Sequence, residues 1–93
     1  MTPQIEAFLE MMAVERDASP HTLSAYARDL EDADTGAGNL LTADEAALEV
    51  WYAGLAQRGL SAATQARRRS AVRQFYRFAL GEGWRGDDPS RRL

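Results

Sequence analysis

A helix-capping residue opens each of four amphipathic segments in this chain. Thr2-Pro3 and Ser19-Pro20 each set a hydroxyl acceptor before a proline, whose missing N–H costs nothing in a first helical turn. Thr42-Ala43-Asp44-Glu45 reads as a capping box, with Thr42 bonding forward and Glu45 reaching back. Ser61 opens the fourth segment. Behind each start, apolar residues recur three and four apart, which is the signature of a helix with one buried face. The first two stripes are Ile5, Phe8, Leu9, Met12 and Leu23, Tyr26, Ala27, Leu30. The other two are Leu48, Trp51, Tyr52, Leu55 and Val72, Phe75, Tyr76, Ala79. The pattern predicts helices over about 3–17, 20–34, 43–58 and 62–80. Gly36-Ala37-Gly38-Asn39 forms a loop, Gly59 stops the third helix, and Gly81 with Gly83 stops the fourth. Trp84 then folds back to close the core.

No stretch alternates with period two, so no sheet is expected. The fold class is all-α, with residues 1–93 forming a single domain of two helical hairpins packed across each other. A chain this short is only marginally able to bury a core, so its apolar residues must be well placed. With no cysteine and one histidine, disulfide frameworks and zinc sites are excluded, and neither a metal nor a cofactor is expected. No apolar run reaches the roughly 20 residues that span a bilayer. The N-terminus lacks a basic stretch followed by an apolar one. The expectation is a cytoplasmic protein with no membrane partner.

A net charge of −3 argues against a nucleic-acid binder until its distribution is read. Residues 1–57 hold eleven acidic residues and two arginines, whereas residues 58–93 hold nine arginines and three acidic residues. Charge acts over roughly 8 Å at physiological salt, so a local patch outweighs the total. Every basic residue is arginine, whose planar fork suits phosphate or guanine, although a GC-rich genome produces the same usage.

Tyr26, Tyr52 and Tyr76 each fall on an apolar stripe, as core tyrosines do. His21 is the only imidazole, and no motif ties a serine or an acid to it. No catalytic residue is expected. The cluster Arg67-Arg68-Arg69, continued by Arg73 and Arg77, reads either as a helix presented to DNA or as a solvated face. Three adjacent side chains span much of a helix circumference. Arg67 points to the polar face with Ser70, Gln74 and Arg77, and Arg68 sits near the flank. Arg69 lies close to the buried side, where it snorkels or meets an acid. Arg73 suits an ion pair as well as a DNA contact. The outer face of the second helix carries His21, Ser24, Ala25 and Arg28, small or hydrogen-bonding residues that fit a major groove or an ordinary wet surface.

Three stretches in order resemble the N-terminal domain of the tyrosine recombinase (phage-integrase-like) family, and its Xer branch in particular. They are Ser19-Pro20-His21-Thr22-Leu23-Ser24-Ala25-Tyr26-Ala27-Arg28-Asp29-Leu30, then Ala66-Arg67-Arg68-Arg69-Ser70-Ala71-Val72-Arg73-Gln74-Phe75-Tyr76-Arg77-Phe78, then Asp87-Asp88-Pro89-Ser90. The resemblance implies a four-helix, SAM-like orthogonal bundle that forms half of a clamp around duplex DNA. It implies that helices 2 and 4 cross the major groove at a recombination site. The implied DNA contacts are Ser24, Ala25 and Arg28 on helix 2 and Thr64, Arg67 and Arg68 on helix 4. The implied partners are double-stranded DNA, other recombinase protomers in a tetrameric synapse, and a C-terminal catalytic domain absent from this chain. The parent protein would resolve chromosome dimers or integrate mobile DNA.

Two features depart from the family pattern. Arg69 stands where the family carries an apolar residue. Glu31-Asp32-Ala33-Asp34, followed by the glycine-rich loop, replaces an apolar continuation of helix 2. The expected effects are a shorter helix 2 and acid beside the DNA side. The charge split also suits a helical protein–protein interaction module that associates head to tail without DNA. A transcriptional helix-turn-helix is disfavoured by the long fourth helix and the lack of a tight turn before it.

Overall fold

The computed structural model describes residues 1–93, and the capped segments form four helices: α1 (Pro3–Glu15), α2 (Pro20–Gly36), α3 (Glu45–Gln57) and α4 (Ala62–Glu82). There is no strand, in agreement with the all-α reading. Three of the four expected caps form. Thr2 accepts from the Ile5 amide at 3.2 Å, and Ser19 and Ser61 accept from the Thr22 and Thr64 amides at 3.1 Å each. The box at Thr42 does not form. Asp44 caps α3 instead, accepting from the Ala47 amide at 2.9 Å. A carboxylate there satisfies an orphan N–H and also meets the positive end of the helix dipole. Thr42 donates to the Asn39 carbonyl at 3.5 Å.

The helix ends also differ from expectation. Helix α4 runs through Gly81 and stops at Gly83, whose φ of +74° favours glycine. The Gly83 amide donates to the Leu80 carbonyl at 3.1 Å and the Trp84 amide to the Ala79 carbonyl at 3.0 Å, which is a Schellman ending. That reversal lays Trp84 against Phe75 and Phe78, with ring centroids 6.4 and 5.3 Å away. Helix α2 is not shortened by its acidic tail but continues to Gly36. Asp34 holds the following loop by accepting from the Leu40 amide at 2.9 Å, and Ala33, Ala37 and Leu40 are buried.

The apolar stripes of α1, α3 and α4 converge as their spacing predicts. Ile5, Phe8 and Met12 meet Leu48, Trp51, Tyr52 and Leu55, and both sets meet Val72, Phe75, Tyr76 and Ala79. Phe8 packs edge-on against Phe75 at 5.9 Å. The buried face of α2 is rotated from the expected stripe. Ala25, Asp29, Leu30 and Ala33 are buried, while Leu23, Tyr26 and Ala27 are half-buried. A charged residue thus sits inside the core-facing row of α2, the helix that packs mainly on α4. No helix is long and apolar enough to cross a membrane.

Candidate nucleic-acid interface

Ser24 and Arg28 lie one turn apart on the open side of α2, and both are exposed. The Arg28 guanidinium makes no ion pair and no hydrogen bond within the chain. Ala25, expected beside them, is only 4% exposed and packs inward. Thr64 is half-buried in the first turn of α4, and its hydroxyl accepts from Ser61 at 3.0 Å.

The arginine run is tied to α2 by two carboxylates. Asp29 is fully buried, and Arg67 grips it fork to fork: Nε donates to Oδ2 and Nη2 to Oδ1, both at 2.8 Å. Such bidentate charge-assisted pairs are among the strongest polar contacts available. Arg68 brings Nε within 3.3 Å of Asp29 and Nη1 within 2.9 Å of Asp32. Neither N–H is aimed at an oxygen, so Arg68 acts through its charge and not through hydrogen bonds. Asp32 also accepts from Arg58 Nη1 at 3.0 and 2.9 Å and from the Trp51 indole N–H at 3.0 Å. Burial pushes the Asp32 carboxyl up. Hydrogen bonds from Arg58 and Trp51, with the charges of Arg58 and Arg68, outweigh that and hold it below the usual carboxylate range.

The physics of this knot is compensation. A lone buried carboxylate would be costly to desolvate, and it is tolerated when paired and hydrogen-bonded. Two carboxylates of α2 therefore draw in three guanidiniums from the end of α3 and the start of α4. This divides the single basic surface expected from the sequence, because Arg58, Arg67 and Arg68 are neutralised by acids of the first half. Arg67 still keeps 39% of its side chain exposed, and its Nη1 bonds nothing in the protein. It presents fixed, unused donors at the mouth between α2 and α4. The Arg68 side chain, at 14% exposure, is largely shut away.

Arg69 is exposed rather than turned toward the core, and its guanidinium lies 4.6 Å over the Tyr52 ring. Gln74 joins the three-helix side of this surface by donating to Tyr26 at 3.1 Å and accepting from Arg16 at 3.0 Å. The tyrosines are structural. Tyr76 is fully buried and donates to the Leu40 carbonyl at 2.7 Å, and burial pushes the Tyr52 and Tyr76 hydroxyls up. His21 is exposed in the first turn of α2. Asp29 and Asp32 are the residues that sequence reasoning missed. The available signal was an acid within the Ala25–Leu30–Ala33 row of one helix and an arginine run on another.

Residues 5–83 match the family described as Phage integrase, N-terminal SAM-like domain. The chain is 61% identical over 92 residues to tyrosine recombinase XerD of Caulobacter vibrioides, covering 95% of this chain and 30% of that protein. It is 53% identical over 89 residues to tyrosine recombinase XerC of Erythrobacter litoralis, covering 96% of this chain and 28% of that protein. It is 50% identical over 91 residues to tyrosine recombinase XerD of Rhizobium meliloti, covering 92% and 29%. The chain thus spans under a third of the length of the curated relatives it matches. No solved structure matches it.

Proposed function

The chain belongs to the phage integrase N-terminal SAM-like domain family, and from that premise we propose that it is the DNA-binding clamp domain of a Xer-type tyrosine recombinase acting in site-specific recombination. The observation that carries this reading is the 61% identity to a tyrosine recombinase across nearly the whole chain. In this reading helices α2 and α4 lie across the major groove. Ser24 and Arg28 approach from α2, and Thr64 and Arg67 from α4, with Arg68 behind them. Ala25 contributes close packing of α2, since its methyl group faces inward.

The chain's own part is to bind and orient DNA. Arg67, already held by Asp29, loses little conformational freedom when its outer nitrogen meets a phosphate or a guanine edge. Asp29 cancels the long-range field of that arginine, so the α2–α4 face supplies register more than attraction. Strand cleavage and exchange would fall to a catalytic domain outside this chain, with neighbouring protomers completing a tetrameric synapse. Head-to-tail self-association is less favoured, because Asp29 and Asp32 already spend their charge on arginines of the same chain.

The test is a fluorescence-anisotropy titration with a duplex carrying a recombination half-site and a scrambled duplex of equal length. The half-site is expected to bind more tightly. Arg28→Ala, which removes an unpaired cation, is expected to weaken binding and lower the salt slope by about 1. Equal binding to both duplexes, with Arg28→Ala unchanged, would contradict the assignment.

A further inference from the structure

A second basic surface remains once Arg58, Arg67 and Arg68 are paired. Arg69, Arg73 and Arg77 stand four residues apart along another edge of α4, and all three are exposed. Each step advances about 6 Å along the helix. Arg73 donates to the main-chain oxygen of Leu93 at 3.2 Å, and Arg77 has no partner in the chain. The C-terminal turn carries Arg91 to the same place, so that Arg73, Arg77 and Arg91 line one cleft of about 370 Å³.

Two carboxylates border that cleft, and both are already engaged. Asp87 is held by Arg85 at 2.9 and 3.2 Å. Asp88 accepts from the Ser90 amide at 2.9 Å and from the Ser90 hydroxyl at 2.6 Å. No Asp or Glu side chain pairs with Arg69, Arg73, Arg77 or Arg91. Like charges four apart on a helix repel one another, so this row is uncompensated within the chain. The cleft has one apolar wall residue, Leu80, which leaves little for a protein partner to bury.

We propose that Arg69, Arg73, Arg77 and Arg91 form a phosphodiester-binding edge, separate from the α2–α4 face, that grips the backbone of the DNA duplex. This rests on the reading of the chain as a DNA-binding domain. A row of guanidinium forks suits successive phosphates, and release of condensed counterions supplies the affinity. The two surfaces then divide the work. The neutralised α2–α4 face sets register, and the unneutralised edge supplies attraction independent of sequence.

The experiment compares the chain with R73Q/R77Q/R91Q and with Arg77→Gln alone, using a labelled random-sequence duplex between 50 and 200 mM salt. None of the three arginines pairs with an acid, so both variants are expected to melt like the parent. The triple variant is expected to lower the salt slope by about 2.7 and Arg77→Gln by about 0.9. The parent's advantage over the triple variant then grows by about 40-fold from 200 to 50 mM salt. Unlabelled duplex is expected to displace the probe far better than poly-glutamate of equal charge. Duplex binding with an unchanged slope in both variants overturns this edge and leaves the DNA reading standing. Absence of parent binding to any duplex at 50 mM salt overturns both. Displacement by poly-glutamate as readily as by duplex assigns the edge to an acidic protein surface and overturns the phosphate assignment.

Discussion

Removing the Arg67 side chain should cost the fold about 2 kcal/mol, and the reason is Asp29. The two residues lie 38 positions apart and join α2 to α4 through two hydrogen bonds of 2.8 Å. Taking one partner from a buried ion pair costs roughly 3–5 kcal/mol, because the other charge stays buried. Two features of this site reduce that figure. Arg67 is 39% exposed, so water already screens part of the attraction, and Arg68 remains 3.3 Å from the same carboxylate. At about 4–8 °C per kcal/mol for a domain of this size, Arg67→Ala should lower the melting temperature by about 8–16 °C. Asp29→Asn should cost a similar amount, since Arg68 is then left largely buried without its charge partner. The pair should not be additive. Urea denaturation of both single variants and the double, followed by helical circular dichroism, should give a coupling of about 1–3 kcal/mol. Additivity within about 0.5 kcal/mol would show that Asp29 is not held by Arg67 and would refute the argument.

Other consequences follow from the same knot. Asp32 is held below its ordinary pKa when folded, so its stabilisation is fully present above the unfolded value near 4 and is lost as pH falls further. Melting temperature should therefore decline on acidification below about pH 4, and Asp32→Asn should flatten that limb; an acid limb unchanged by Asp32→Asn would remove the residue from the network. Gly36→Ala should destabilise by about 1–3 kcal/mol despite alanine's better helix propensity, because the new Cβ would overlap the Trp51 indole that bonds Asp32. Urea midpoint and tryptophan fluorescence report it, and a neutral or stabilised variant would contradict this packing.

Much of the fold was legible because its signals are local. The hydroxyls of Thr2, Ser19 and Ser61 declare helix starts through contacts three residues long. Gly83 declares its stop through backbone conformation alone. What escaped was decided by distant partners. The stripe Leu23–Tyr26–Ala27–Leu30 suggested one inner face for α2, but the face actually used carries Asp29, and only an arginine 38 residues on makes that affordable. For the same reason the sequence placed Arg67 and Arg68 among free cations, and it assigned acid pairing to Arg69. Ala25 shows how small the margin is, since one residue turns a helix by about 100° and moves a methyl group from groove to core. At Thr42 two capping residues competed within three positions, and the carboxylate of Asp44 took the role.

The most direct test of the DNA face is a nuclear magnetic resonance titration of the labelled chain with duplex DNA. The largest shifts are expected at Ser24, Arg28, Thr64 and the Arg67 side chain, with a second set at Arg73 and Arg77. Val14 on α1 and Val50 on α3, which are exposed on other sides, should stay still. Shifts centred on Val14 or Val50, with Arg28 and Arg67 unmoved, would contradict it.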